Sequence, residues 1–145
     1  MTVALALITA LANLLAGGYG VLRWYRVEPD RAFWLLLRAA QGIAIVFALY
    51  AGGSWVLGDR SLGGDLFELY ALLPVAVAFV AEQLRLVSAQ TVMDARGIED
   101  AQAVGRLPEA EQRSVVLAIM RRELGIMAAS ALVVVFLALR AAAVA

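Results

Sequence analysis

The sequence predicts an all-α integral membrane protein, a bundle of four antiparallel spanning helices forming one membrane domain over residues 1–145. Three observations carry that prediction. The chain is 63% hydrophobic with a mean hydropathy of +0.85, whereas a soluble domain is nearer 45–50% apolar. Its apolar residues fall in four runs, about 2–22, 31–57, 66–86 and 124–144, each long enough to cross a bilayer, which takes about 20 residues. Its charges collect between the runs.

Composition also removes whole classes of chemistry. The 12 basic and 12 acidic residues cancel, giving no reason to expect a nucleic acid as partner. There is no Cys and no His. Disulfides and thiol chemistry are therefore excluded, and haem or zinc would lack their commonest ligands. No cofactor is implied. All the basic residues are Arg, which suits bidentate or stacked contacts and equally fits a simple codon bias. Among families of this size, small multidrug exporters carry a carboxylate in the first span, and this first span has none.

The first run, Thr2 to Leu22, lacks a basic n-region and a small-residue cleavage site, so it reads as a retained span. Along it Ala6, Ala10, Asn13, Gly17 and Gly20 recur at four- and three-residue intervals, a seam of small residues where a second helix can approach closely. Asn13 sets one amide in that seam, and Gln41 is its expected partner. The connection Arg23–Arg31 is dense in charge and aromatics. Pro29 ends the first helix and Asp30 caps the second. Trp24, Tyr25 and Trp34 belong at headgroup level. Arg23, Arg26 and Arg31, with Trp24 and Tyr25, are candidate contacts for anionic lipid headgroups.

The second run, Arg31 to Leu57, reads as the organiser of the bundle. Ala40, Ala44, Ala48 and Gly52 repeat every four residues and leave a groove of small side chains. Beside them stand Arg38 and Gln41, polar groups that hydrocarbon tolerates only when paired. A Gly-rich turn from Gly58 to Gly64 makes the second and third spans an antiparallel pair. Asp65 with Glu68 has the spacing of a capping box. Pro74 predicts a kink near Ala71, and helical pattern then continues to about Arg96. Residues 97–108 form the polar linker, broken by Gly97, Gly105 and Pro108. Pro108, Glu109 and Glu111 suit the start of a last helix running to the end of the chain. The third and fourth helices should thus project past the bilayer, by about 15 Å at 1.5 Å per residue.

Ten of the twelve Arg residues lie on the side of the linkers 23–31 and 85–122, leaving only Arg60 and Arg140 opposite. The positive-inside rule then predicts a multi-pass cell-membrane protein with these loops cytoplasmic and both termini outside. In that topology Arg38, Glu82 and Glu123 have similar depth on three helices. An Arg38–Glu82 pair with Gln41, Glu123 and Asn13 nearby is the candidate intramembrane polar site, or simply a device that fixes helix register. Arg38→Leu alone should leave Glu82 uncompensated and harm folding more than the double change with Glu82→Leu. No catalytic or metal-binding motif is present, and Asp65 and Glu68 are explained by capping. The leading expectation is a binding or structural component, an accessory subunit or homo-oligomer contacting a partner membrane protein or lipid. Its rivals are an oligomeric transporter or channel and, less strongly, a lipid-modifying enzyme using acidic residues at the membrane rim.

Overall fold

The computed structural model describes residues 1–58 and 65–145, with the Asp65 side chain excepted. The turn through Arg60 and the proposed capping role of Asp65 therefore lie outside the described residues. Among the described residues six helices follow in order: α1 (Thr2–Arg26), α2 (Arg31–Val56), α3 (Asp65–Leu86), α4 (Ser88–Ala95), α5 (Ala101–Gly105) and α6 (Glu109–Val144). Four of them, α1, α2, α3 and α6, are long and apolar enough to cross a membrane, and they make an antiparallel four-helix bundle. Each helix touches two neighbours in a closed ring, α1–α2–α3–α6, with little contact across the diagonal between α2 and α6.

Size sorts the side chains between interior and surface. Small residues face inward: Ala6, Ala10 and Ala16 of α1, Ala40, Ala44 and Ala48 of α2, and Ala128, Ala131 and Ala138 of α6 are all buried. Large apolar residues face outward, with Leu35 71%, Leu49 69%, Phe79 65% and Phe136 63% exposed. Water would penalise that surface heavily, whereas hydrocarbon accepts it. Because lipid tails are as apolar as leucine, association of the helices rests on close packing. The core has two layers. Phe33, Leu37, Leu124 and Met127 fill the one toward the Arg-rich loops. Phe47 and Phe67 fill the other, edge to face at 6.0 Å, an arrangement aromatic pairs favour.

Helix α1 continues past the apolar run to Arg26 and stops, just ahead of Pro29, at Val27 in a left-handed conformation (φ 53°). The N–H groups of Val27 and Glu28 close on the Trp24 and Arg23 carbonyls, the double bond pattern that terminates helices ahead of a proline. A β-branched residue at positive φ is strained, and Pro29 denies the helix any continuation. Asp30 caps α2 as anticipated, its carboxylate accepting from Ala32 N–H at 3.0 Å.

Beyond the spans the third helix is broken. The expected run to Arg96 divides at Val87 into α3 and α4. The Ser88 and Thr91 hydroxyls donate to the Leu84 and Val87 carbonyls, a competition with the backbone ladder that bends helices. The linker 97–108 holds α5, capped by the Asp100 carboxylate on Ala103 N–H at 2.7 Å. Helix α6 does run unbroken over 36 residues, about 54 Å. Its first turns carry α4, with Ser88, Met93 and Val115 buried. Helix α3 also runs on through Pro74.

The glycines of closest approach lie on α1 and not on α2: α1 packs most extensively against α6, in an antiparallel seam, and also receives the Phe33 ring of α2. A Cβ built on Gly20 would stand 2.6 Å from the Phe33 ring and 2.9 Å from the Ala128 methyl, and one on Gly17 2.8 Å from the Leu132 side chain. By contrast, a Cβ on Gly52 or Gly18 meets nothing within 4 Å. The groove of α2 is thus not the place of closest approach: Gly52 is only half-buried, and among the described residues no neighbour reaches it. Gly20→Ala should lower thermal stability by about 1–3 kcal/mol, the usual cost of overpacking, while Gly18→Ala should leave it unchanged or slightly raised. Thermal melts of the two variants in one detergent check the contrast; equal melting would mean the seam tolerates a methyl.

Candidate functional site

The structure brings together three of the five candidate polar residues. On α2, Arg38 and Gln41 lie one turn apart, so their side chains meet: Arg38 Nη1 donates to Gln41 Oε1 at 2.7 Å. The same nitrogen reaches Glu82 Oε1 on α3 at 2.5 Å. Glu82 spends its second oxygen on Arg85 Nε at 2.9 Å, and the Arg85 guanidinium lies 5.4 Å from the Trp34 ring centre. The cluster is therefore a chain, Gln41–Arg38–Glu82–Arg85–Trp34, joining α2 to α3. It carries two cations and one anion. Arg38 remains half-exposed, and Glu82 and Arg85 are about three-quarters covered.

Asn13 and Glu123 stand apart from it. Asn13 is buried on α1 and donates to the Thr9 carbonyl of its own helix at 2.9 Å, so the expected link to Gln41 is not formed. The i−4 carbonyl is simply nearer than another helix. Glu123 is half-buried on α6 and forms no ion pair among the described residues. Arg85 is the member that sequence reasoning missed. Its signal was present in Glu82-Gln-Leu-Arg85, an i,i+3 spacing that places the two side chains on one face.

The candidate headgroup contacts divide in the same way. Arg23 is committed within the protein. It donates to the Tyr19 hydroxyl from Nε and Nη2 at 2.9 and 2.6 Å, and it pairs with Glu28 at 3.0 Å and Asp30 at 2.9 Å. Tyr19 in turn donates to the Asp30 carboxylate. That hydroxyl, the Ala32 N–H and the Arg23 charge hold the Asp30 carboxyl below the usual aspartate range, against the cost of its desolvation. Trp24 lies against Gly125 of α6 beneath the Arg121 guanidinium, 5.2 Å from the ring centre. Tyr25, Arg26 and Arg31 remain exposed. No family model, curated protein or solved structure matches the chain.

The cluster opens onto the outside of the bundle. Gln41 and Glu82, with Ala44, Pro74 and Ala78, line a recess of about 220 Å³ between α2 and α3. This recess shares Ile45, Val75 and Phe79 with a larger apolar groove of about 610 Å³, which continues past Ala48, Leu49, Gly52 and Gly53. The interior of the bundle, in contrast, is filled by the two core layers. Of the buried polar residues, Thr9 and Asn13 bond to carbonyls of α1 itself, Ser88 donates to the Leu84 carbonyl at the end of α3, and Thr2 lies beside the Tyr50 hydroxyl of α2. Among the described residues no three carboxylates approach closely enough to hold a metal ion.

Two predictions follow from these bonds. Because Glu82 has two arginine partners, Arg38→Gln leaves it paired, whereas Glu82→Gln leaves two facing cations with no anion. Melting should fall further for Glu82→Gln, by about 1–2 kcal/mol, between the small value of an exposed pair and the large one of a broken buried pair. Equal effects would mean that Arg85 does not share the carboxylate. For Asp30 the folded-state pKa is depressed, so its contribution is present above the unfolded value of about 3.9 and is lost as pH falls through the folded one. Asp30→Asn should therefore lower the melting temperature at neutral pH and flatten its decline in acid below about pH 4. An unaltered acid limb would count against the Tyr19–Asp30–Arg23 network.

Proposed function

We propose that this protein is a small multi-pass membrane component that works by lateral binding. Its α2–α3 face engages a molecule within the bilayer, whether a partner protein, a second copy of the chain or a lipid. The observation that supports this reading is the place of its polar cluster. Arg38, Gln41 and Glu82 border a groove on the outer surface, while the interior of the bundle is packed with phenylalanine, leucine, methionine and alanine. A conduction path would call for the opposite arrangement, with polar groups lining the interior. The charge asymmetry of the loops supports an orientation with the Arg-rich end, including α4, α5 and the first turns of α6, in the cytoplasm and both termini outside.

Photo-crosslinking in the native membrane tests the binding face. A photoreactive residue at Leu49 or Phe79, on the groove, should form adducts that one at Phe136, on the outer face of α6, does not. Equal labelling at all three positions would sink the reading. The absence of cysteine makes the topology accessible to single-cysteine labelling. Ala145→Cys should react with a membrane-impermeant thiol reagent applied to intact cells, and Gln102→Cys should react only after lysis. The reverse pattern would invert the proposed orientation.

A further inference from the structure

The groove and its polar mouth together specify more than a binding face. Between Gln41 and Gly53 the groove runs along 12 residues of α2, about 18 Å, close to one leaflet of a ~30 Å hydrocarbon layer. Its walls are almost wholly apolar along that length, and among the described residues no side chain fills it: a Cβ on Gly52 or Gly53 would meet none of them within 4 Å. Among the described residues only its end at the Arg-rich loops is polar. That end, at Gln41, lies about two helical turns from Trp34, the residue on which Arg85 rests, and Arg38 stands between them, one turn from Trp34 and so nearer the level where headgroups begin.

The charge at the mouth is unbalanced. Both Glu82 oxygens are taken, one by Arg38 and one by Arg85, so two cations share one anion. Arg38 makes both of its contacts through Nη1. Among the described residues its Nε and Nη2 have no partner, and the side chain is 50% exposed. Those two nitrogens form the planar edge that meets a phosphate through two parallel hydrogen bonds. An excess guanidinium charge at the rim of hydrocarbon is costly until an anion neutralises it. We propose that the α2–α3 groove holds an acyl chain of an anionic phospholipid whose phosphate sits on the Nε–Nη2 edge of Arg38. This rests on the lateral-binding reading and names its occupant. The apolar length accounts for the chain, and the single surplus positive charge accounts for the sign of the headgroup.

Native mass spectrometry of the purified protein, offered equal amounts of phosphatidylglycerol and phosphatidylcholine with matched chains, tests the assignment. The wild type should retain phosphatidylglycerol over phosphatidylcholine by about fivefold, the attraction expected from one basic residue near an anionic lipid. Arg38→Gln should abolish the preference while keeping Glu82 paired with Arg85. Gly52→Leu, which enters open space, should displace both lipids. Melting curves establish that each variant is folded. No preference in the wild type, a preference that survives Arg38→Gln, or retention that survives Gly52→Leu would each overturn the lipid assignment. If Gly52→Leu instead converts a wild-type dimer to monomer, the occupant is a second copy: lateral binding stands and the lipid does not. If neither variant alters lipid retention or oligomeric state, both readings fall.

Discussion

The close approach of α1 to α6 is the constraint on which the remaining architecture depends. These are the first and last helices of the chain, and their contact closes the ring. Gly17 and Gly20 bring α1 so near that the Leu132 side chain and Ala128 methyl of α6, together with the Phe33 ring of α2, occupy the space a Cβ would need. Farther along the same seam, Gly125 of α6 receives the Trp24 indole. In hydrocarbon, where burial of apolar surface gives little gain, such backbone proximity supplies the dispersion contacts that hold helices together. The glycines of α2 play another part. Gly42, Gly52 and Gly53 have no neighbour within Cβ reach, and at Gly52 and Gly53 the absent side chains leave a groove open on the outside of the bundle.

Electrostatics at the Arg-rich end follows a common pattern on both halves of the ring. Across α1 and α6, Arg121 lies over Trp24; across α2 and α3, Arg85 lies over Trp34. An arginine stacked on an indole keeps its charge near water while its stem and the ring occupy apolar surroundings. Tyrosines mark the opposite end, with Arg140 over Tyr70 and Thr2 beside Tyr50. From Trp34 to Trp55, helix α2 rises about 31 Å at 1.5 Å per residue, close to the hydrocarbon thickness of a bilayer. The aromatic positions and the length of the apolar spans thus agree on where a membrane would lie.

Arg38 is matched less completely than Arg23 or Arg85. Arg23 is tied by Tyr19, Glu28 and Asp30, and Arg85 by Glu82 and Trp34. Arg38 shares the anion already held by Arg85 and keeps half of its surface open. A register-fixing ion pair would need only one cation for Glu82. The second cation, at the mouth of an unfilled groove, is what turns a structural contact between α2 and α3 into a candidate binding site.

The sequence alone determined the four spans, their alternating direction and the small-residue faces, because hydropathy, length and helical spacing are local properties. It also brought Arg38 and Glu82 into view, since equal depth can be counted along a helix. Only the tertiary structure decided which small face another helix would close. Periodicity defines a stripe but not its partner: the stripe of α1 meets α6, while that of α2 remains open at Gly52. Tertiary packing likewise decided that Asn13 would bond to its own helix and that Tyr19 would join Asp30 to Arg23. Those outcomes depend on rotation about the helix axes and on chain reversals at Val27 and Asp30, where a few degrees of backbone select the partner each side chain can reach.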